Sequence, residues 1–205
     1  MEPINLRRVE DRFPTIYITL ISVLLAIGLE DTVSQVRAVE SSELFNWLIA
    51  AYVGGTTLAA WTGFSFIAIT QIRRPRLLDS VNVFGLAVGV FMLNSTIGQE
   101  HYWFFCAFAL YMLLAAYPVL YNLPMLGETL PFEYRFKDWQ WTLYALLLYI
   151  PFYLAIGWFS YQGRLSDEIE LLFLCLALTQ PISWAIIFYA VWKKALDRAA
   201  RELPQ

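Results

Sequence analysis

The chain has 205 residues, of which 59% are hydrophobic, 17% aromatic and 15% charged, and its formal net charge is −3. A water-soluble domain carries roughly 25% charged residues, so the composition excludes an ordinary soluble enzyme and points to lipid as the main surrounding. A single histidine, His101, excludes bis-histidine haem and any His-rich metal site within one chain, and Cys106 and Cys175, both in apolar runs, read as small core residues, not as a disulfide or metal pair.

Taken in order, the chain reads as six apolar spans. Arg7, Arg8 and Arg12 precede the first, about 13–33, whose far end carries Glu30 and Asp31. No small-residue cleavage site follows closely, so this is read as a retained span, not a signal peptide. The second, 44–72, runs 29 residues without a charge and stops at Arg73, Arg74 and Arg76. Hydrocarbon about 30 Å thick needs ~20 apolar residues in a helix, and backbone polar groups in lipid must be satisfied internally, which demands a helix. The third span is about 77–98 and the fourth 102–123, with Glu100 and His101 in a solvated turn between them. A link over 124–138 holds two prolines, and the fifth span follows at 139–162. Asp167, Glu168 and Glu170 precede the sixth, 171–192, with Ser166 placed to cap it. The tail, with Lys193 and Lys194, reads as a short continuation of that helix.

The charges test this division. With the N-terminus in the cytoplasm, 12 of the 14 cations fall on the inner side, and only Arg37 and Arg164 on the outer. Positive charge near span ends is held on the cytoplasmic side. The expected fold is therefore one all-α integral membrane domain over 1–205, with six transmembrane helices and both termini cytoplasmic. The expected location is a bacterial cytoplasmic membrane. Acids divide almost evenly, which leaves the outer end net acidic.

Polar residues inside the spans are the candidates for function. Thr15, Thr19 and Ser22 share one broad face of span one; they either bond back to their own helix or line a path, with Glu30 and Asp31 at its mouth. Gln180 lies deep in span six beside Thr179 and Pro181, where it meets the carbonyl that Pro181 frees or faces a cavity with Trp184. Gly55, Ala59 and Gly63 in span two, and Gly85 and Gly89 in span three, recur at four-residue steps that let helices approach closely in lipid, within one chain or between subunits. No charged residue sits at the middle of any span, and no nucleophile–histidine pair, phosphate loop or zinc spacing occurs. No enzyme activity, metal, cofactor or nucleic-acid partner is expected.

The segment Arg8-Val9-Glu10-Asp11-Arg12-Phe13-Pro14-Thr15 opens span one, Ile18-Thr19-Leu20 follows within it, and Gly98-Gln99-Glu100-His101-Tyr102 forms the turn between spans three and four. In this layout the chain resembles bacterial members of the endolysosomal six-helix potassium-channel family. Pro14-Thr15 stands where that family has Ser-Asp, and the Arg8-to-Phe13 spacing is one residue longer. The resemblance implies that span one lines a pore with apolar side chains at its constriction.

Three functions fit these features. The first is an oligomeric pore or ion channel, cation-conducting, lined by span one. The second is a small-solute transporter with a mid-membrane site near Gln180 and Trp184. The third is a non-catalytic sensor or anchor subunit that meets a cytoplasmic protein through Arg73, Arg74, Arg76, the 124–138 link, Lys193 and Lys194.

Overall fold

In the computed structural model, residues 4–39, 44–70, 77–129 and 136–202 are described, with side chains within 15–39, 44–65, 81–116 and, with gaps, 144–193. Six α-helices follow one another, with no strand among the described residues. They are α1 (Ile4–Ala38), α2 (Leu44–Thr70), α3 (Leu77–Asn94), α4 (His101–Thr129), α5 (Phe136–Tyr161) and α6 (Asp167–Glu202). The all-helical fold expected from the uncharged runs is therefore present.

Several boundaries differ from the sequence reading. Helix α4 continues through Pro124 to Thr129, so the link expected over 124–138 shrinks to the segment between α4 and α5. Helix α1 starts at Ile4, well before the apolar run, and α6 extends to Glu202, carrying the basic tail as helix. Hydropathy marks where the apolar run ends; the helix continues past that point because charged residues such as Arg, Lys and Glu are themselves good helix formers. Arg73, Arg74 and Arg76 lie outside the described residues.

The helix ends show local causes. Residues 162–166 separate α5 from α6, and Gly163 takes a left-handed φ of 64°. Arg164 N–H donates to Phe159 O at 3.0 Å and Gly163 N–H to Ser160 O at 2.8 Å, a Schellman closure that needs a residue free to adopt positive φ. Ser166 opens α6 as expected: its carbonyl accepts from Ile169 N–H at 2.9 Å and Glu170 N–H at 3.0 Å, while its hydroxyl lies 3.2 Å from the Glu168 carboxylate. Asp167, Glu168 and Glu170 in that first turn complement the positive end of the helix.

Helix α2 is central. It packs against α1, α3 and α6, while α4 lies along α5 and α3. Phe45, Ile49, Tyr52, Val53, Ala59 and Phe64 of α2 are all buried. An aromatic seam ties α2 to α4 and α5: the Tyr52 and Phe108 rings lie 5.2 Å apart, and Phe108 and Tyr153 4.3 Å apart. Such pairs add about 0.5–1.5 kcal/mol each beyond area burial.

Close approaches explain several glycines. A Cβ on Gly55 would sit 3.4 Å from Pro181 Cβ, so α2 meets α6 there through two small surfaces. A Cβ on Gly89 would come within 2.8 Å of Tyr111 Cδ2, whereas at Gly85 it would meet nothing within 4 Å. The two glycines of the α3 pair thus have different surroundings: Gly89 admits α4, and Gly85 sits where α3 faces no other part of the described chain. Gly63 is buried in α2.

The contacts also fix the direction of each helix. Gly28 of α1 lies against Val90 of α3, and Gly98, just after α3, lies against Val39, just after α1. Phe45 stacks on His101, and Tyr102 meets Tyr161. The C-terminal ends of α1, α3 and α5 and the N-terminal ends of α2, α4 and α6 therefore share one end of an up-and-down bundle.

Candidate functional site

Among the described residues, large apolar side chains cover the outside of every helix. Examples exposed by half or more are Ile16, Leu58, Val88, Trp103, Leu148 and Leu172. Polar side chains are inside: Thr32, Asn46, Thr56, Thr57, Ser65, Asn82, Asn94, Thr96, Glu170 and Gln180 are all buried. The apolar exterior departs from that of a water-soluble domain, where contiguous exposed apolar patches stay within a few hundred Å², while the interior sets these polar groups among a mainly apolar core. Two stretches, Thr15–Ala38 and Asp167–Ile186, are long and apolar enough to cross a membrane, and only 28% of the 18-residue apolar window in each is buried. Helix α2 carries no charged residue over its length.

At the shared end, two polar clusters join helices that are distant in sequence. Asn94, fully buried at the end of α3, donates through Nδ2 to Gly28 O and to Asp31 Oδ2, both at 2.9 Å. Thr32 places its hydroxyl 2.8 Å from both Gly28 O and Asn94 Oδ1, sharing one proton between them. Asp31 is therefore held by the bundle, while Glu30, its neighbour, is exposed. A second amide, Asn46 of α2, accepts from Gly98 N–H at 2.9 Å. Gly98 has φ of 79° and leaves no room for a side chain, since a Cβ would fall 2.5 Å from Val39 Cγ2.

The second cluster centres on His101. The solvated Glu100–His101 turn expected from sequence is corrected here: His101 begins α4 and faces inward, and Glu100 alone remains exposed. His101 Nδ1 lies 2.6 Å from Glu170 Oε2, whose side chain is only 7% exposed. The His101 ring stacks on Phe45 with centroids 3.6 Å apart and planes at 19°. Asp167 stands one turn before Glu170 on α6, and donor atoms of His101, Asp167 and Glu170 all lie within 4.8 Å of one another. Glu170 is the residue that sequence reasoning missed. Its buried state follows from a histidine 69 positions away, and no local pattern announces it.

Deeper in the bundle, Tyr52 donates its hydroxyl proton to Gln180 Oε1 at 3.0 Å. Gln180 thus reaches α2, not the carbonyl one turn back that Pro181 leaves free, and α6 runs on through Pro181. Trp184 is half-buried against the core. The side-chain oxygens of Thr57 and Ser65 on α2 and of Asn82 on α3 are buried with no hydrogen-bond partner among the described residues. Buried polar groups almost always have partners, so unpaired ones call for an explanation such as a site for water, ion or solute.

The α1 stripe divides. Thr15 and Thr19 are exposed, and Thr19 bonds back to Thr15 O at 2.8 Å. Ser22 bonds back to Ile18 O at 2.8 Å and also accepts from Trp61 Nε1 at 3.1 Å, which ties α1 to α2. Lys193 is exposed on α6, and Lys194 follows it on the same helix. Both cysteines are free; Cys106 is half-buried, but Cys175, expected in the core, is exposed on the outer face of α6. An apolar run in a bundle has both inner and outer faces, and the run alone does not say which face a small residue takes. Compared with family models, curated proteins and solved structures, the chain matches none.

Proposed function

We propose that this chain is an integral membrane protein with six transmembrane helices and both termini in the cytoplasm, and that it carries a small cation or polar solute across the bilayer through a site inside the bundle. The observation that carries this reading is an apolar exterior on every helix around a core in which, among the described residues, the Thr57 and Ser65 hydroxyls and the Asn82 amide oxygen have no partner. A polar group buried in an apolar medium without a partner costs about 1–3 kcal/mol by mutational measures, so a chain that keeps several of them has a use for them. From Asn46 to Ser65 the polar positions extend about 28 Å along α2 at ~1.5 Å per residue, close to the ~30 Å of a bilayer core. The acidic end, with Glu30, Glu100, Asp167 and Glu168 exposed, raises the local concentration of cations at one mouth.

Thr57→Val separates a working hydroxyl from a packing one. The isosteric change removes an unpaired buried oxygen, so it stabilises the fold by about 1 kcal/mol. Flux into liposomes falls in this variant and in Gln180→Ala, with expression retained. Wild-type flux in both folded variants overturns the interior site.

A second reading keeps the resemblance to the six-helix potassium channels: subunits assemble with α1 at the axis. It is favoured by the exposed face of α1, which presents Thr15, Thr19 and Glu30 together. Its test is the oligomeric state in detergent. A closed ring with α1 cross-linking to itself favours this reading, and a monomer that still supports flux returns the path to the interior of one chain.

A further inference from the structure

We propose that His101, Asp167 and Glu170 form a binding site for a borderline divalent cation such as Zn²⁺, and this stands whether or not the bundle conducts. The three residues offer one imidazole nitrogen and two carboxylates, a donor set that suits first-row divalent metals better than Mg²⁺ or Ca²⁺. Their donor atoms lie within 4.8 Å of one another. Ligands about 2.0–2.2 Å from one metal lie about 3–3.5 Å apart. The His101–Glu170 pair, at 2.6 Å, opens by about half an ångström to admit the metal, and Asp167, whose side chain is exposed, lies close enough to join them.

The geometry is prepared in two further ways. Asp167 and Glu170 are three residues apart on α6, which places both carboxylates on one face of the helix. Phe45, stacked at 3.6 Å, holds the imidazole plane, so the ring does not have to be ordered when the metal arrives. The role of Phe45 is positioning. At 2.6 Å Nδ1 and the Glu170 carboxylate share a hydrogen; a metal that takes a lone pair from each displaces that hydrogen to solvent, or to Nε2 where that nitrogen carries none.

The positive ends of α4 and α6 oppose a cation here, but they carry only about half an elementary charge each. Asp167 and Glu170 together supply two negative charges, and Glu100 and Glu168 add two more nearby, against Arg164. The surrounding field therefore remains attractive to a dication.

The test titrates purified full-length protein in detergent with Zn²⁺, following heat of binding and competition with a chromophoric chelator. One Zn²⁺ per chain is expected. Asp167→Asn and His101→Gln each weaken binding, by at least the 10–100-fold seen even when outer partners of metal ligands are removed. Glu168→Gln, which removes only a neighbouring charge outside the set, weakens it far less. Zn²⁺ also raises the melting temperature of the wild type and not of Asp167→Asn, a substitution on an exposed side chain that does not threaten folding. Substoichiometric binding, or binding that survives Asp167→Asn or falls equally with Glu168→Gln, overturns the site.

Discussion

Replacing Asn94 is the sharpest probe of how this bundle is held. The side chain is fully buried and its amide nitrogen serves two acceptors from α1, Gly28 O and Asp31 Oδ2, at 2.9 Å each. In Asn94→Ala, the Thr32 hydroxyl turns fully to Gly28 O, which it already approaches at 2.8 Å, so that carbonyl stays satisfied. The Asp31 carboxylate has no such substitute. A hydrogen bond to a charged group contributes about 1.5–3 kcal/mol, and because Asp31 is only part-buried no further burial penalty is added. Asn94→Asp is worse at neutral pH, because it removes the donor and sets a second carboxylate against Asp31. Acidification relieves that variant alone, since protonating one of the two carboxyls restores an O–H donor between them. Equilibrium unfolding in mixed micelles, read across pH, measures both effects. A loss below about 0.5 kcal/mol for Asn94→Ala, or a pH-independent Asn94→Asp, would show that the amide does not hold α1 to α3.

Three further outcomes follow from particular contacts. Gly98→Ala costs about 1–3 kcal/mol for a non-glycine residue in the left-handed region, with a further loss against Val39; adding Val39→Ala recovers only the second part, as melting curves of the single and double variants will show. Gly89→Ala overpacks against Tyr111 and costs about 1–3 kcal/mol, while Gly85→Ala leaves the stability of the single chain unchanged; if Gly85→Ala alters oligomer size on a sizing column, α3 is a subunit contact. Cys175, though exposed, lies on the apolar face of α6. In intact membranes it resists a charged maleimide and reacts only with a lipid-permeant one, whereas a cysteine placed at Ser166 reacts with both; ready labelling of Cys175 by the charged reagent removes α6 from the bilayer.

Much of the architecture was legible in the chain. Long uncharged runs imply helices, and Ser166 with the acids after it falls where α6 begins, whereas α1 runs past Glu30 to Ala38. The longest uncharged run, beginning at Leu44, forms α2, which packs against α1, α3 and α6. The polar sites were less legible. Gln180 was readable as the deepest amide, but its partner Tyr52 is 128 positions away. Ser22 was readable as a hydroxyl on a helical face, but nothing near it announces Trp61. Glu170 looked like one more acid in a helix cap. Its burial depends on where α4 begins and on the placement of Phe45.

What the amino-acid order determined alone is whatever depends on neighbours within a turn or two: helix, cap, left-handed glycine, uncharged length. Local backbone energetics and hydropathy act over that range, so a single sequence displays them. The tertiary structure decided which polar side chains turn inward and which partners meet them, because those choices depend on helix rotation and register. Rotation is set by packing summed over all six helices. A change of one residue in register moves each side chain by about 100° around its helix, enough to exchange Asn94 for an apolar neighbour at the same contact.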